Sequence, residues 1–276
     1  MREEFEIGVP GGRTVRGDLY RAEGAANGVI ICHGFKGFAR WGAWPLLAAA
    51  LNEKGLNAIA FDFTGSGVGA DRESFTELDA FAANTYRREL EDLNAVASHA
   101  TTQGWTGRDC GLFGHSRGGA TAIIFAADSD RICCLATWAS IATIDRWSPE
   151  QISEWQQRGF IEVVNSRTDQ VMRIEQTALD ECVSESRYGL DVERAAERVR
   201  ASWLIIHGTK DDVVPVDDAH RLARANSLGD HGMRAELRIV EGANHVFGAT
   251  HPLAAAPAQL ASLIDETADF FARELG

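Results

Sequence analysis

Along this chain the hydrophobic positions alternate between short continuous runs and stretches of helical period. Phe5–Val9 and Thr14–Tyr20 read as two short strands joined by the turn signal Pro10–Gly11–Gly12, an opening hairpin. Val29–Cys32 is an apolar, β-branched run, and a helix over Trp44–Lys54 stops at Gly55. Asn57–Phe63 is the next strand, followed by a glycine-rich loop over Gly65–Gly69. The spacing predicts one helix over Asp79–His99, with Phe81, Leu90, Leu93 and Val96 on one face. Strands at Cys110–Phe113 and Ile132–Trp138 flank a small-residue helix at Arg117–Ala127. Trp203–His207 and Ala235–Val240 are strands, Asp217–Ala225 is a helix, and Ala258–Arg273 is a closing amphipathic helix.

Apolar strands alternating with helices imply a mostly parallel sheet covered on both faces. Right-handed crossovers then bring the loops that follow the strands to one edge. One interval breaks the rhythm. Between Ala139 and Ala201 the chain is far longer than a crossover helix requires. Its apolar residues, among them Trp147, Trp155, Phe160, Met172 and Leu179, suggest a small helical cap over residues 140–200, inserted into a single domain spanning 1–276. Asp191 caps a last helix expected at Val192–Val199.

Composition narrows the class. The 276 residues are 45% hydrophobic and 24% charged, an ordinary globular balance, and the net charge of −13 opposes binding to a phosphate backbone. No nucleic-acid partner is therefore expected. No apolar run suits a bilayer, and the acidic opening Met1–Arg2–Glu3–Glu4 is unlike a signal peptide, so a cytoplasmic chain with no membrane partner is expected. The five cysteines, Cys32, Cys110, Cys133, Cys134 and Cys182, have no C-x-x-C spacing and read as core residues rather than disulfides or metal ligands.

The chemistry concentrates after the strands. Gly114–His115–Ser116–Arg117–Gly118 fits the G-x-S-x-G turn, follows a strand and opens a helix. A serine there sits in a strained turn that needs small flanking residues, with helix N–H groups directed at it. A serine nucleophile needs a base and an orienting acid, here in the order Ser, acid, His. His245 follows the strand ending near Val240, and both Asp211 and Asp212 follow His207–Gly208. The oxyanion donors expected are the backbone N–H of Arg117 and that of Phe35, in the loop His33–Gly34–Phe35–Lys36–Gly37. His33 is assigned an orienting role in that loop.

These motifs together resemble the α/β-hydrolase superfamily, and within it the serine esterases and the serine aminopeptidase-like and dienelactone hydrolase-like members. The resemblance implies an eight-stranded, mostly parallel sheet and places the acid at Asp211 rather than Asp212. It also makes Asp62 a structural residue. Ser116 departs from the cysteine of dienelactone hydrolases and from the aspartate of haloalkane dehalogenases and epoxide hydrolases.

The expected activity is hydrolysis of small-molecule carboxylic esters by Ser116, His245 and Asp211 through an acyl-enzyme, with no cofactor and no metal. Aminopeptidase, thioesterase or carbon–carbon hydrolase activity would use the same triad, and a non-catalytic receptor would share only the fold. Lys36, Arg40, Trp41 and Trp44 crowd the oxyanion loop, so Trp41 joins Trp147 and Trp155 as expected substrate contacts. The Arg117 side chain is expected to point away from the pocket. The Gly65–Gly69 loop matches neither G-x-G-x-x-G nor a phosphate loop and reads as a turn.

Overall fold

The computed structural model describes residues 1–165, 167–184, 188–253 and 255–276. The main sheet is built from β1 (Arg2–Val9), β2 (Arg13–Tyr20), β3 (Gly28–Cys32), β4 (Asn57–Asp62), β5 (Cys110–His115), β6 (Ile132–Trp138), β9 (Ser202–Gly208) and β10 (Glu236–Val240). These eight strands lie in the order β1-β2-β4-β3-β5-β6-β9-β10. β2 runs antiparallel to β1 and β4, and every other neighbouring pair is parallel.

The period-two alternation of the strands fills two cores. Ile31, Ala58 and Phe113 face one side, against α1 (Trp44–Glu53) and α9 (Ala258–Leu275). Ile30, Ile59 and Leu112 face the other, against α3 (Tyr86–Thr102), α4 (Arg117–Ala127), α7 (Val192–Ala196) and α8 (Asp217–Leu228). Burying each large apolar side chain contributes roughly 1.5–3 kcal/mol, which is why these strands carry almost no polar residues. The outer strand β1 alternates charged residues outward, which blunts a free sheet edge.

The helix expected over Asp79–His99 is two helices, α2 (Leu78–Ala82) and α3. Thr85 adopts extended backbone and its side chain accepts the Arg88 N–H, a cap that restarts the helix. Apolar spacing ran on through the break and concealed it. The interval between β6 and β9 is also not purely helical. It holds α5 (Pro149–Arg158), an antiparallel hairpin of β7 (Phe160–Asn165) and β8 (Gln170–Glu175), then α6 (Gln176–Cys182) and α7. A Ser148–Gln151 capping box starts α5, and Gly159 at φ 75° ends it and turns the chain into β7. Ile161, Met172 and Ile174 then point inward while Val164 and Val171 are exposed, the alternation of a strand pair. α7 is shorter than expected and is capped by Asp191, which accepts from the Arg194 N–H at 3.0 Å.

The five cysteines are unpaired, and among the described residues no helix is long and apolar enough to cross a membrane.

Candidate active site

β5 ends directly beneath Ser116, whose backbone sits at φ 55°, ψ −121°. This is a strained conformation for a residue with a Cβ. It is held by the Ser116 N–H, which donates to the Trp138 carbonyl on β6 at 2.9 Å, and by the Ser116 carbonyl, which accepts from Gly119 N–H at 2.9 Å to begin α4. The two flanking glycines are steric necessities. A Cβ on Gly114 would lie 2.5 Å from the Gly118 carbonyl oxygen, and one on Gly118 would press into the backbone carbonyls of Cys32 and His33. The elbow therefore packs backbone to backbone against the loop after β3.

That loop is pinned from both ends. His33 donates Nδ1–H to the Gly34 carbonyl at 2.9 Å and accepts the Phe63 N–H on Nε2 at 3.2 Å, so its hydrogen bonds define the neutral tautomer. Burial pushes the His33 pKa down, which favours the same neutral state. Gly34 lies against Ser116, since a Cβ there would stand 3.0 Å from its Cβ. Farther along, Ala39 N–H donates to Asp62 at 2.6 Å, and Arg72 links Asp62 to the buried Asp18, which also takes two bonds from Arg40. Asp62 thus holds the loop in place, and sequence reading had no signal for the distant Arg72.

Across the edge, His245 Nδ1 lies 2.8 Å from Asp211 Oδ2. Asp211 has no exposed side-chain surface, and its Oδ1 accepts the N–H groups of Val213 (2.9 Å) and Val214 (2.8 Å). His207 Nε2 must donate, because it bonds the Val214 carbonyl at 2.9 Å, and it also approaches Asp211 Oδ2 at 3.2 Å. Burial opposes the Asp211 charge, but the bonds from His207, His245 and Val214 outweigh it and hold the carboxyl well below the usual range. An ionised Asp211 accepts from Nδ1–H of His245, the tautomer whose Nε2 carries the lone pair. Asp212, in contrast, is exposed.

His115 joins the two halves. Its Nε2–H donates to the His245 carbonyl at 3.0 Å, and the two rings lie 4.8 Å apart. Burial, reinforced by the neighbouring His245, pushes the His115 pKa down to about 3, so this imidazole is neutral.

Beside Ser116 opens a cavity of about 250 Å³. Its walls are aromatic (Phe35, Tyr86, Trp147, Trp155) and aliphatic (Ile141, Ile144, Ile174, Val214), with Arg117, Arg146 and Gln151 as polar members. The segment between β6 and β9 supplies Trp147, Trp155 and Ile174, and thus forms one wall. Among the described residues no group of three or more His, Cys, Asp or Glu side chains is placed to hold a metal ion.

A family model described as serine aminopeptidase, S33, matches residues 24–247, which span the loop after β3, the elbow, Asp211 and His245. The chain belongs to the serine aminopeptidase (S33) family. This S33 chain is therefore a member of the α/β-hydrolase superfamily, as its sheet order and elbow require. An uncharacterised 31.7 kDa protein from the traX–finO intergenic region of Escherichia coli is 28% identical over 142 residues, 51% of this chain. The match spans about half of that relative, 46% of its length. Three solved structures share the fold. Est1E from Butyrivibrio proteoclasticus with bound ferulic acid has a TM-score of 0.75 at 19% identity, covering 98% of each chain. The α/β-hydrolase GrgF from Penicillium sp. sh18 has a TM-score of 0.76 at 18% identity, covering 100% of this chain and 99% of its own. A monoacylglycerol lipase from Paleococcus ferrophilus has a TM-score of 0.70 at 16% identity, covering 94% of this chain and 99% of its own.

Within this S33 chain the expected pocket residues divide. Trp147 and Trp155 line the cavity. Trp41 does not; it is buried against Trp44, with their ring centroids 6.0 Å apart. Arg40 turns away to Asp18 and Glu4, and Lys36 Nζ donates to the Val164 carbonyl, tying the loop after β3 to the hairpin. Arg117 corrects the opposite expectation. Its side chain lines the cavity because Glu89 takes its Nε–H at 2.7 Å and the Tyr86 ring supports its guanidinium face at 3.7 Å. Tyr86 and Glu89 both lie on α3, beyond the reach of any local sequence pattern around Ser116.

Proposed function

We propose that the protein is a serine hydrolase of carboxylic esters, with Ser116 as nucleophile, His245 as base and Asp211 as the orienting acid. The observation that carries this reading is the 2.8 Å His245–Asp211 pair, which leaves Nε2 basic on the same sheet edge as the strained Ser116. Ser116 Oγ attacks the acyl carbon while its proton passes to His245 Nε2. The N–H groups of Phe35 and Arg117 hold the oxyanion. His245 then gives its proton to the alcohol oxygen as the C–O bond breaks, leaving an acyl-enzyme. Water attacks the acyl carbon, yields its proton to Nε2, and releases the acid as the proton returns to Ser116. Residues 140–200 serve as a lid over this edge, and Trp147 and Trp155 contact the substrate.

The test is turnover of a short chromogenic ester, together with labelling by a fluorophosphonate. We expect Ser116→Ala to abolish both. Turnover by that variant at the wild-type rate would sink the reading, and absence of labelling in the wild type would favour a receptor on the same fold.

A further inference from the structure

Among the described residues, the charged side chains that line the cavity are opposite in sign to the net charge of the protein. The chain carries −13, yet two guanidiniums, Arg117 and Arg146, line the cavity, and no Asp or Glu does so among the described residues. The carboxylates that compensate them, Glu89 and Asp218, stand outside the wall and are occupied. Glu89 is almost wholly buried and accepts from Asn84 (2.8 Å), Thr121 (2.8 Å) and Arg117. Asp218 accepts from the Ala142 N–H (3.0 Å), Arg146 (2.8 Å) and Arg221 (3.2 Å).

Arg117 is built as a reader. Its Nε is spent on Glu89 and its face on Tyr86, so its orientation is set. Its two terminal nitrogens have no protein acceptor among the described residues, and 17% of the side chain is exposed, at the cavity. A guanidinium with free donors among Trp, Phe and Ile side chains favours an anionic acceptor, because charge-assisted bonds are short and strong where water is scarce. The apolar walls suit a short methylene chain between that acceptor and the acyl carbon.

We propose that this cavity selects acyl groups ending in a carboxylate, the half-esters of short dicarboxylic acids, and rejects acyl groups carrying an ammonium. This rests on the serine-hydrolase reading above and specifies its substrate. An ammonium would meet two guanidiniums and, among the described residues, no carboxylate, so substrates with a free α-amine are disfavoured despite the family's name.

The experiment compares kcat/KM for three methyl esters of matched length: methyl pentanoate, monomethyl glutarate and methyl 4-(trimethylammonio)butyrate. The expected order is glutarate above pentanoate by roughly tenfold or more, the worth of one charge-assisted bond, with the ammonium ester below both. Arg117→Met should erase the glutarate-to-pentanoate ratio. The double variant Arg117→Met with Glu89→Gln removes both charges together, so a folded protein carries the same comparison. Hydrolysis of pentanoate with no preference for glutarate overturns the selectivity while leaving the triad intact. No hydrolysis of any ester, with no fluorophosphonate label on Ser116, overturns both readings.

Discussion

His115 donates its ring N–H to the backbone carbonyl of His245 at 3.0 Å, so the residue before Ser116, the proposed nucleophile, positions the residue proposed as its base. The bond joins the end of β5 to the loop after β10, elements far apart in sequence and on different strands of the sheet. It requires a neutral His115 with its proton on Nε2, and burial supplies that state. The elbow and the His245 loop thereby form one unit rather than two loops that meet by chance.

The stability of that unit should depend on pH in a known direction. The pKa of His115 falls from an ordinary 6.5 to about 3 on folding, through burial and the nearby His245. Between those values the unfolded chain binds the extra proton, so stability is full above the unfolded value and declines as pH falls through the window. His115→Phe removes this titrating group. Its denaturant midpoint should fall less than that of the wild type between about pH 7 and about pH 5. The His33 pKa is lowered for the same reason, so a residual slope should persist in the variant.

The two adjacent aspartates should separate cleanly. Asp211→Asn removes the ionised acceptor that holds Nδ1–H of His245, and kcat should drop by on the order of a thousandfold or more. Asp212 is exposed, and Asp212→Asn should keep wild-type kcat and KM for the same ester. Equal losses in the two variants would refute the assignment.

The tryptophans should separate in a different way. Trp147 lines the cavity and is only partly buried, so Trp147→Ala should raise KM several-fold with little change in Tm. Trp41 is buried away from the cavity, and Trp41→Ala should cost about 3–5 kcal/mol of stability while KM is kept. Steady-state kinetics paired with thermal melts on both variants checks this.

Local pattern reached a long way here because each residue proposed for catalysis follows a strand. The strand runs are continuous and apolar, and the elbow glycines are demanded by contacts within a few residues or with the adjoining loop. The boundary between α2 and α3 escaped because the apolar spacing passes through Thr85 unbroken, while the cap bond that divides the helices is a single side-chain contact. The hairpin of β7 and β8 escaped because short runs such as Ile161–Val164 suit a helix or a strand equally until a partner strand is present.

The amino-acid sequence alone determined the alternating architecture and the placing of Ser116, the Asp211–Asp212 pair and His245 after successive strands. Periodicity and turn chemistry are local, and they repeat at every strand. Tertiary structure decided which side chains face the cavity. Arg117 was expected to point away, yet Glu89 and Tyr86 hold it at the wall; Trp41 was expected at the wall, yet it packs beside Trp44. Those outcomes depend on helices and loops distant in sequence, where one buried carboxylate or one aromatic face sets the direction of a long side chain.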